Sequence, residues 1–309
     1  MRPGNATLNC YFCLHRYLSS PDHPTMACVT LISDFGHQDA SVAKVKGILM
    51  CRLPSLPVLD ITHHIPPYHL QQAAYLLLAS YLHFPEGSFH LPLVEVFREQ
   101  PVQMLVAKHK GHFFVVPDNG LLALAFGESL TNVWQVPRQE PVGALRDWVQ
   151  QAATVIYLLQ QETPEQLGYQ PCAIRQAGRH WLPKYDAERQ CLECHVMHMD
   201  NFGNVVLNLH KDAFETYSNG RPFYIQLLRD EVVSHISAHY HQVAAGQKLC
   251  RFNEAGFLEI AINKGSAAKL FGLKVYSEQQ LMYNHIRICF GEAPPQRVLR
   301  LQLEAFNQL

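Results

Sequence analysis

Along the first half of the chain, short β-branched apolar runs alternate with stretches that place an apolar residue every three to four positions. Cys28 to Ser33 predicts a buried strand ending at Asp34, and Gly36 permits the sharp turn into a helix over Ala40 to Cys51 that stops before Pro54. Val58 to Thr62 reads as the next strand, and Leu70 to Phe84 as a second helix behind Pro66 and Pro67. Strands over Ser88 to Val96, Gln103 to Ala107 and His112 to Val116, a turn at Pro117 to Gly120 and a helix over Leu145 to Gln161 complete this half. Strands alternating with helices predict an α/β fold class, a layered domain with helices on the faces of a sheet.

After Gln161 the pattern changes. TPEQLGYQPCAIRQAGRHWLPKYDAERQ has no clear period and reads as a connection. Beyond it, Cys191 to Leu209, Arg221 to Leu228, Val243 to Arg251, Phe257 to Ile262 and Leu281 to Cys289 read as strands with few helices among them, which predicts a mostly β C-terminal domain. Leucines at helical spacing over Val298 to Leu309 suggest a short terminal helix. Residues 1–25 lack an amphipathic period, and Met26 directly precedes the first strand, so Met26 is the expected functional start. The expected division is a leader over 1–25, an α/β domain over 26–165, a linker over 166–190 and a β-rich domain over 191–309.

Composition narrows the function. Hydrophobic residues make up 48% and charged residues 17%, the balance of a packed globular protein. A net charge of -1 and the lack of a dense basic cluster argue against a nucleic-acid partner and toward a small-molecule ligand or protein contacts. No apolar run reaches the roughly 18 residues that a bilayer span requires, and no secretory pattern opens the chain, so a cytoplasmic protein without membrane partners is expected. Its nine cysteines are then expected to be reduced.

Candidate chemistry concentrates in five motifs: SDFGHQD from Ser33, DITHHIPP from Asp60, PDNG from Pro117, DNFGN from Asp200 and LEIAINKGSAA from Leu258. Asp34 ends the first strand, where α/β sheets gather ligand contacts, and its carboxylate can accept both hydroxyls of a ribose. It is equally the residue type that caps a following helix, a role also open to Asp39 and Ser41. DNFGN places Asp200, Phe202 and Asn204 in a tight turn. An asparagine amide presents a donor and an acceptor edge that suit a purine, and a phenylalanine can cover the base; a plain Gly-centred turn is the other reading. PDNG reads as an architectural turn relieved by Gly120. Cys191-Leu-Glu-Cys194-His195 has the spacing of a haem attachment site, and Cys10 and Cys13 could join Cys191 and Cys194 around zinc. The strand-like setting favours incidental cysteines, and His63 and His64 suit a turn better than a metal. No metal or redox cofactor is expected.

In this order, the motifs resemble the S-adenosylmethionine (SAM) hydroxide adenosyltransferase family, whose relatives include the SAM-dependent fluorinase and chlorinase. The resemblance spans Met26 to about Phe290. It implies that Asp34 holds the ribose diol, that Asp39 and Ser41 lie near the methionine end of SAM, and that Asn204 reads adenine, with Phe202 beside it and Asp200 on the methionine amine. Asn253 to Gly265, including Asn263, resembles the segment that contacts adenine and the methionine carboxylate, although Glu254 and Ala255 replace the residues used by the halogenases. SAM or adenosine is then the substrate or ligand. A homotrimer is also implied, with each nucleoside between the N-terminal domain of one subunit and the C-terminal domain of the next.

One stretch departs from the family. LVEVFREQPVQMLVA aligns with a segment that normally reads DPGVG followed by paired arginines, so that Glu95 takes the aspartate position, Phe97 and Glu99 replace glycines and Val102 replaces the first arginine. The family histidine falls at Ala144, although Arg146 and Asp147 remain. In hydroxide-transferring members an Asp, an Arg and a His are thought to activate water for attack on the ribose C5′. Glu95 is therefore the candidate catalytic residue, with Arg98 or His90 as a partner from a shifted position. The expected activity is hydrolysis of SAM to adenosine and methionine. The alternatives are an adenosine- or SAM-binding protein without catalysis and an interaction module, and the degraded water-activating set leans away from catalysis.

Overall fold

The computed structural model of the protein describes residues 26–98, 102–138, 143–175, 182–227, 231–275 and 286–291. The expected leader, Glu99, the tail helix and the beginning of the last expected strand lie outside the described residues.

The N-terminal sheet starts with β1 (Val29–Ser33), whose five residues are all buried. It is flanked in parallel by β2 (Val58–Thr62) and β3 (Phe89–Leu93). β4 (Met104–His109) and β5 (His112–Pro117) form an antiparallel hairpin, turned at Lys110 and Gly111 with φ of 46° and 81°. β6 (Asn132–Gln135) and β7 (Gln170–Pro171) complete the order β2-β1-β3-β5-β4-β6-β7. Helices cover both faces, which explains why the central strands read as continuous apolar runs rather than alternating ones. α1 (Ser41–Arg52) packs beside α4 (Leu145–Leu159) on one face, and α2 (Leu70–Ser80) beside the six-residue α3 (Leu121–Phe126) on the other. The expected helix to Phe84 tightens into a 3₁₀ turn after Ser80. β3 stops two residues before Glu95, whose φ of 48° cannot continue a strand.

The C-terminal half contains β8 (Lys184–Asp186), β9 (Cys191–Cys194), β10 (Val196–Met199), β11 (Val205–His210), β12 (Phe223–Gln226), β13 (Val232–Val233), β14 (Lys248–Phe252), β15 (Phe257–Ile262) and β16 (Ile286–Phe290). They form two antiparallel sheets, ordered β10-β11-β15-β14 and β13-β12-β16-β9-β8, around one apolar core. Helices are limited to α5 (Lys211–Ser218) and α6 (Ala267–Phe271) among the described residues. The Cys191 to Leu209 stretch reverses at the expected DNFGN turn, and its first part is two strands rather than one: it changes sheet at His195, whose N–H donates to Asn208 Oδ1 at 2.9 Å. The segment that reads as an unpatterned connection supplies an edge strand to each half, β7 to one and β8 to the other.

The expectation of reduced cysteines is corrected at one pair. Antiparallel pairing of β9 with β16 sets Cys191 opposite Cys289, with Cα atoms 4.0 Å apart, and the two are disulfide-bonded. That bond also removes Cys191 from any haem or zinc arrangement.

The two halves meet where α2 lies on β10. His195 Nε2 donates to Gln71 Oε1 at 2.8 Å, Gln72 Nε2 donates to His198 Nδ1 at 2.8 Å, and Asn253 Nδ2 donates to the Tyr75 hydroxyl at 3.0 Å. Tyr75, Met197 and Val206 form a small apolar cluster among these polar contacts.

Candidate functional site

Two cavities hold most of the residues singled out by sequence. The first, of about 670 Å³, opens at the C-terminal end of β1 and is lined by Asp34, Phe35, Pro67, Tyr68, Glu95, Val96, Phe97, Arg98 and Leu145. One oxygen of Asp34 accepts the backbone N–H of Tyr68 at 3.0 Å. Glu95 lies on the opposing loop, its Oε2 3.0 Å from Nη1 of Arg98. This is the shifted partner that sequence allowed as one of two options. The other option, His90, is buried in the sheet between Thr30 and His112 and does not reach the cavity.

The Glu95 loop is held from behind. Buried Asn119, in the PDNG motif, donates to the carbonyls of Val94 at 2.9 Å and Glu95 at 3.3 Å, while its Oδ1 accepts the N–H of Leu121. A motif read as an ordinary turn therefore fixes the candidate catalytic carboxylate. Left-handed backbone at a residue with a Cβ is disfavoured by roughly 1–2 kcal/mol. Among the described residues it occurs at Tyr68 and Glu95 in this cavity and at Lys264 in the other, as well as at three sites elsewhere. Such concentration of strain is typical of functional loops.

The second cavity, of about 660 Å³, is lined by Asp200, Phe202, Asn204, Tyr240, Ile262, Asn263, Lys264 and Gly265. The DNFGN turn is internally braced: Asp200 Oδ1 accepts the N–H groups of Phe202 and Asn204, both at 2.9 Å, and its Oδ2 accepts from the Asn204 amide at 2.8 Å. Gly203 has φ of +80°, and a Cβ there would collide with Ser266, the N-cap of α6. Asn204 is buried, whereas Phe202 projects with 76% of its surface exposed. Asn263 contributes to the wall while its side-chain amide donates to Val243 O at 2.8 Å. Glu254 is exposed in its turn and does not line this cavity.

Asp39 and Ser41 are not brought to either cavity. Asp39 Oδ1 accepts the N–H of Ser41 at 2.7 Å, a local cap that holds the Asp39 carboxyl below its ordinary pKa. Ser41 lines a third, apolar groove between α1 and α4, together with Arg146 and Leu145. Sequence reasoning missed Tyr240. Its hydroxyl donates to Glu259 Oε1 at 2.6 Å, and the Arg251 guanidinium sits 4.8 Å above its ring. Burial, with Glu259 nearby, pushes the Tyr240 hydroxyl up to about 12, and burial also raises Glu259. The available signal was Glu259 itself, a carboxylate in the middle of the apolar run LEIAI.

An α/β domain with a ligand-type carboxylate at its first strand end, joined to a β domain carrying a braced Asp-Asn turn, defines a two-part small-molecule site. The SAM hydroxide adenosyltransferase N-terminal domain matches residues 29–168, and the corresponding C-terminal domain matches residues 194–280. The chain belongs to the SAM hydroxide adenosyltransferase family. A relative in Thermus thermophilus named (R)-S-adenosyl-L-methionine hydrolase is 30% identical over 81% of this chain and 97% of its own length. The protein of the same name in Methanocaldococcus jannaschii is 24% identical over 82% and 95%, and a fluorinase of Actinopolyspora mzabensis 22% identical over 80% and 94%. Among solved structures, an uncharacterized conserved protein from Thermotoga maritima shares the fold with a TM-score of 0.69 at 24% identity, covering 84% of this chain and 99% of its own. A conserved hypothetical protein from Thermus thermophilus gives a TM-score of 0.59 at 27% identity, covering 86% and 100%.

Proposed function

We propose that this protein binds SAM across the two half-sites and hydrolyses it to adenosine and methionine, with Glu95 as general base. The observation that carries this reading is the placement of Glu95, paired with Arg98, in one cavity with Asp34. In this reading Asp34 receives the ribose hydroxyls, Asn204 and Phe202 the adenine, and Asp200 and Asn263 the methionine end. One N–H of the Asn204 amide is occupied by Asp200, which leaves its carbonyl and second N–H for the base.

Water would attack C5′ as the C5′–S bond breaks, the sulfonium leaving as the neutral thioether of methionine, and the water proton passing to Glu95. Positioned general-base assistance of this kind is typically worth ~10²–10⁴ in rate. Arg98 orients the carboxylate in place of the missing histidine. The two cavities share no lining residue. This supports the reading that the Asp34 half-site of one subunit faces the Asp200 half-site of a neighbour, as a homotrimer would allow.

A second reading, a SAM- or adenosine-binding protein without turnover, is favoured by a specific observation: Ala144 caps α4 at the family's histidine position, and no histidine lines the Glu95 cavity among the described residues. The test is incubation with SAM, following adenosine and methionine by mass spectrometry alongside Glu95→Gln. Products formed by the wild type and lost in Glu95→Gln support hydrolysis. SAM retained unchanged supports the binding reading, and neither turnover nor retention overturns both.

A further inference from the structure

Beneath the Asp34 turn runs a chain of polar side chains that the chemistry above does not use. Lys46 Nζ, on α1, lies 2.6 Å from Asp60 Oδ2 in the middle of β2. Asp60 Oδ1 lies 3.1 Å from His63 Nε2, an ion-pair approach whose alignment falls short of a full hydrogen bond. His63 Nδ1 in turn lies 2.7 Å from the hydroxyl of Ser33. Ser33 is fully buried and His63 is 2% exposed, so a nucleophilic role for the serine is excluded despite the Ser-His-Asp composition.

The order of charges fixes the direction of every proton in this chain. The Asp60 carboxylate favours the Nε2–H tautomer, which makes Nδ1 an acceptor for the Ser33 hydroxyl proton. The serine oxygen is then free to accept the N–H of Phe35, 3.4 Å away. His63 also holds the turn through its backbone, since Gly36 N–H donates to His63 O at 2.8 Å. Asp34 therefore sits between a residue gripped by the imidazole and two residues gripped by the same chain.

We propose that neutral His63, oriented by Asp60 and Lys46, is the positioning residue that presents Asp34 to the cavity. The proposal rests on the reading of Asp34 as the ribose contact. Protonation would place an N–H at Nδ1 against the serine hydroxyl, leaving that hydroxyl proton without an acceptor in a dry site and loosening the turn. The charged groups facing His63 are Asp60 on its own segment, Lys46 on α1 and His37 on the loop after β1, whose ring centroid is 5.0 Å away; His64 packs on His37 at 5.2 Å. Burial lowers the His63 pKa, Asp60 partly offsets this, and His37 and Lys46 lower it further.

Nitrogen-15 NMR of the histidine rings, hydrogen exchange at Phe35 and Gly36, and adenosine affinity are measured from pH 8 to pH 4 for wild type, His63→Asn and Ser33→Ala. His63→Asn keeps a polar group near Nδ1 that does not titrate. The expected result is an Nε2–H tautomer, exchange that rises about tenfold as His63 protonates, and wild-type affinity that weakens by up to about tenfold per pH unit below that point. In His63→Asn affinity is weaker than wild type at pH 8, and its acid limb, like the acid rise in exchange at Phe35 and Gly36, is lost. An Nδ1–H tautomer, or the same acid limb in His63→Asn, would overturn the proposal. If no variant binds adenosine at any pH, the ribose reading fails instead, and the proposal is decided by the ring tautomer and by whether exchange at Phe35 and Gly36 follows His63.

Discussion

The Asp34 cavity is assembled from four separate segments, whereas the Asp200 cavity is dominated by one five-residue turn and the corner after β15. In the first, the candidate side chains draw support from distant segments as well as from neighbours: the Glu95 backbone from Asn119, and the Asp34 turn from Tyr68 and from His63 through Ser33. In the second, Asp200 and Asn204 brace each other within the turn. A turn that carries its own hydrogen bonds is visible in the sequence as one short motif, here DNFGN. The Asp34 cavity instead takes its lining from segments that lie far apart along the chain. In the loop around Glu95 the paired cation is Arg98, three positions along the chain.

The sharpest break in this comparison is expected from Glu95→Gln. The amide keeps the shape of the side chain and removes its proton-accepting charge, so turnover of SAM should fall by ~10²–10⁴ while affinity for adenosine stays within a few-fold. A parallel loss of affinity would show that Glu95 shapes the cavity rather than the reaction. Next in size is the C-terminal disulfide. Cys191 and Cys289 are separated by 98 residues, and closing a loop of this length is worth roughly 2–5 kcal/mol. The double variant Cys191→Ser and Cys289→Ser should lose stability of that order in urea unfolding, with the loss confined to the half that contains the self-braced turn.

Asn204→Ala removes the amide that braces Asp200 and that, in the proposed reading, contacts the base. Two neutral hydrogen bonds to a base are worth roughly 0.5–1.5 kcal/mol each, so adenosine should bind about 10- to 100-fold more weakly by calorimetry. Affinity unchanged in Asn204→Ala would remove the purine-reading role.

The same difference explains what could be read from the sequence. β1, α1, β2 and the outline of α2 follow from apolar periodicity, and DNFGN and SDFG stood out because glycine and short polar residues are required by their turns. α3 escaped notice because LLALAF is apolar throughout and too short to show a helical period. The break at His195 between β9 and β10 is marked by a bond from the His195 N–H to the Asn208 side chain, which no local pattern encodes. The pairing of Cys191 with Cys289 and the support of Glu95 by Asn119 are likewise contacts between segments distant in sequence. Asp39 and Ser41 matched by position along the chain, but their mutual cap turns them to local work.

The contact between the halves offers the smallest test of how independently the two cavities behave. His198 Nδ1 accepts from Gln72 only while the ring is neutral, and burial lowers its pKa, with Asp200 partly opposing and His69 assisting. In the unfolded chain this histidine takes a proton near the ordinary value of about 6.5, whereas the folded protein resists it to lower pH. Stability from this contact is therefore fully present above about pH 6.5 and declines as the pH falls below it toward the folded value. His63, His90, His109 and His112 are lowered as well and give slopes of the same sign, so the contribution has to be taken as a difference between variants. His198→Gln retains a polar partner for Gln72 and does not titrate. Its stability relative to wild type should rise by roughly 1 kcal/mol between pH 7.5 and pH 5, the scale of one hydrogen bond. Equal slopes for the two proteins would show that the halves are held by the apolar cluster of Tyr75, Met197 and Val206 rather than by the Gln72 to His198 bond.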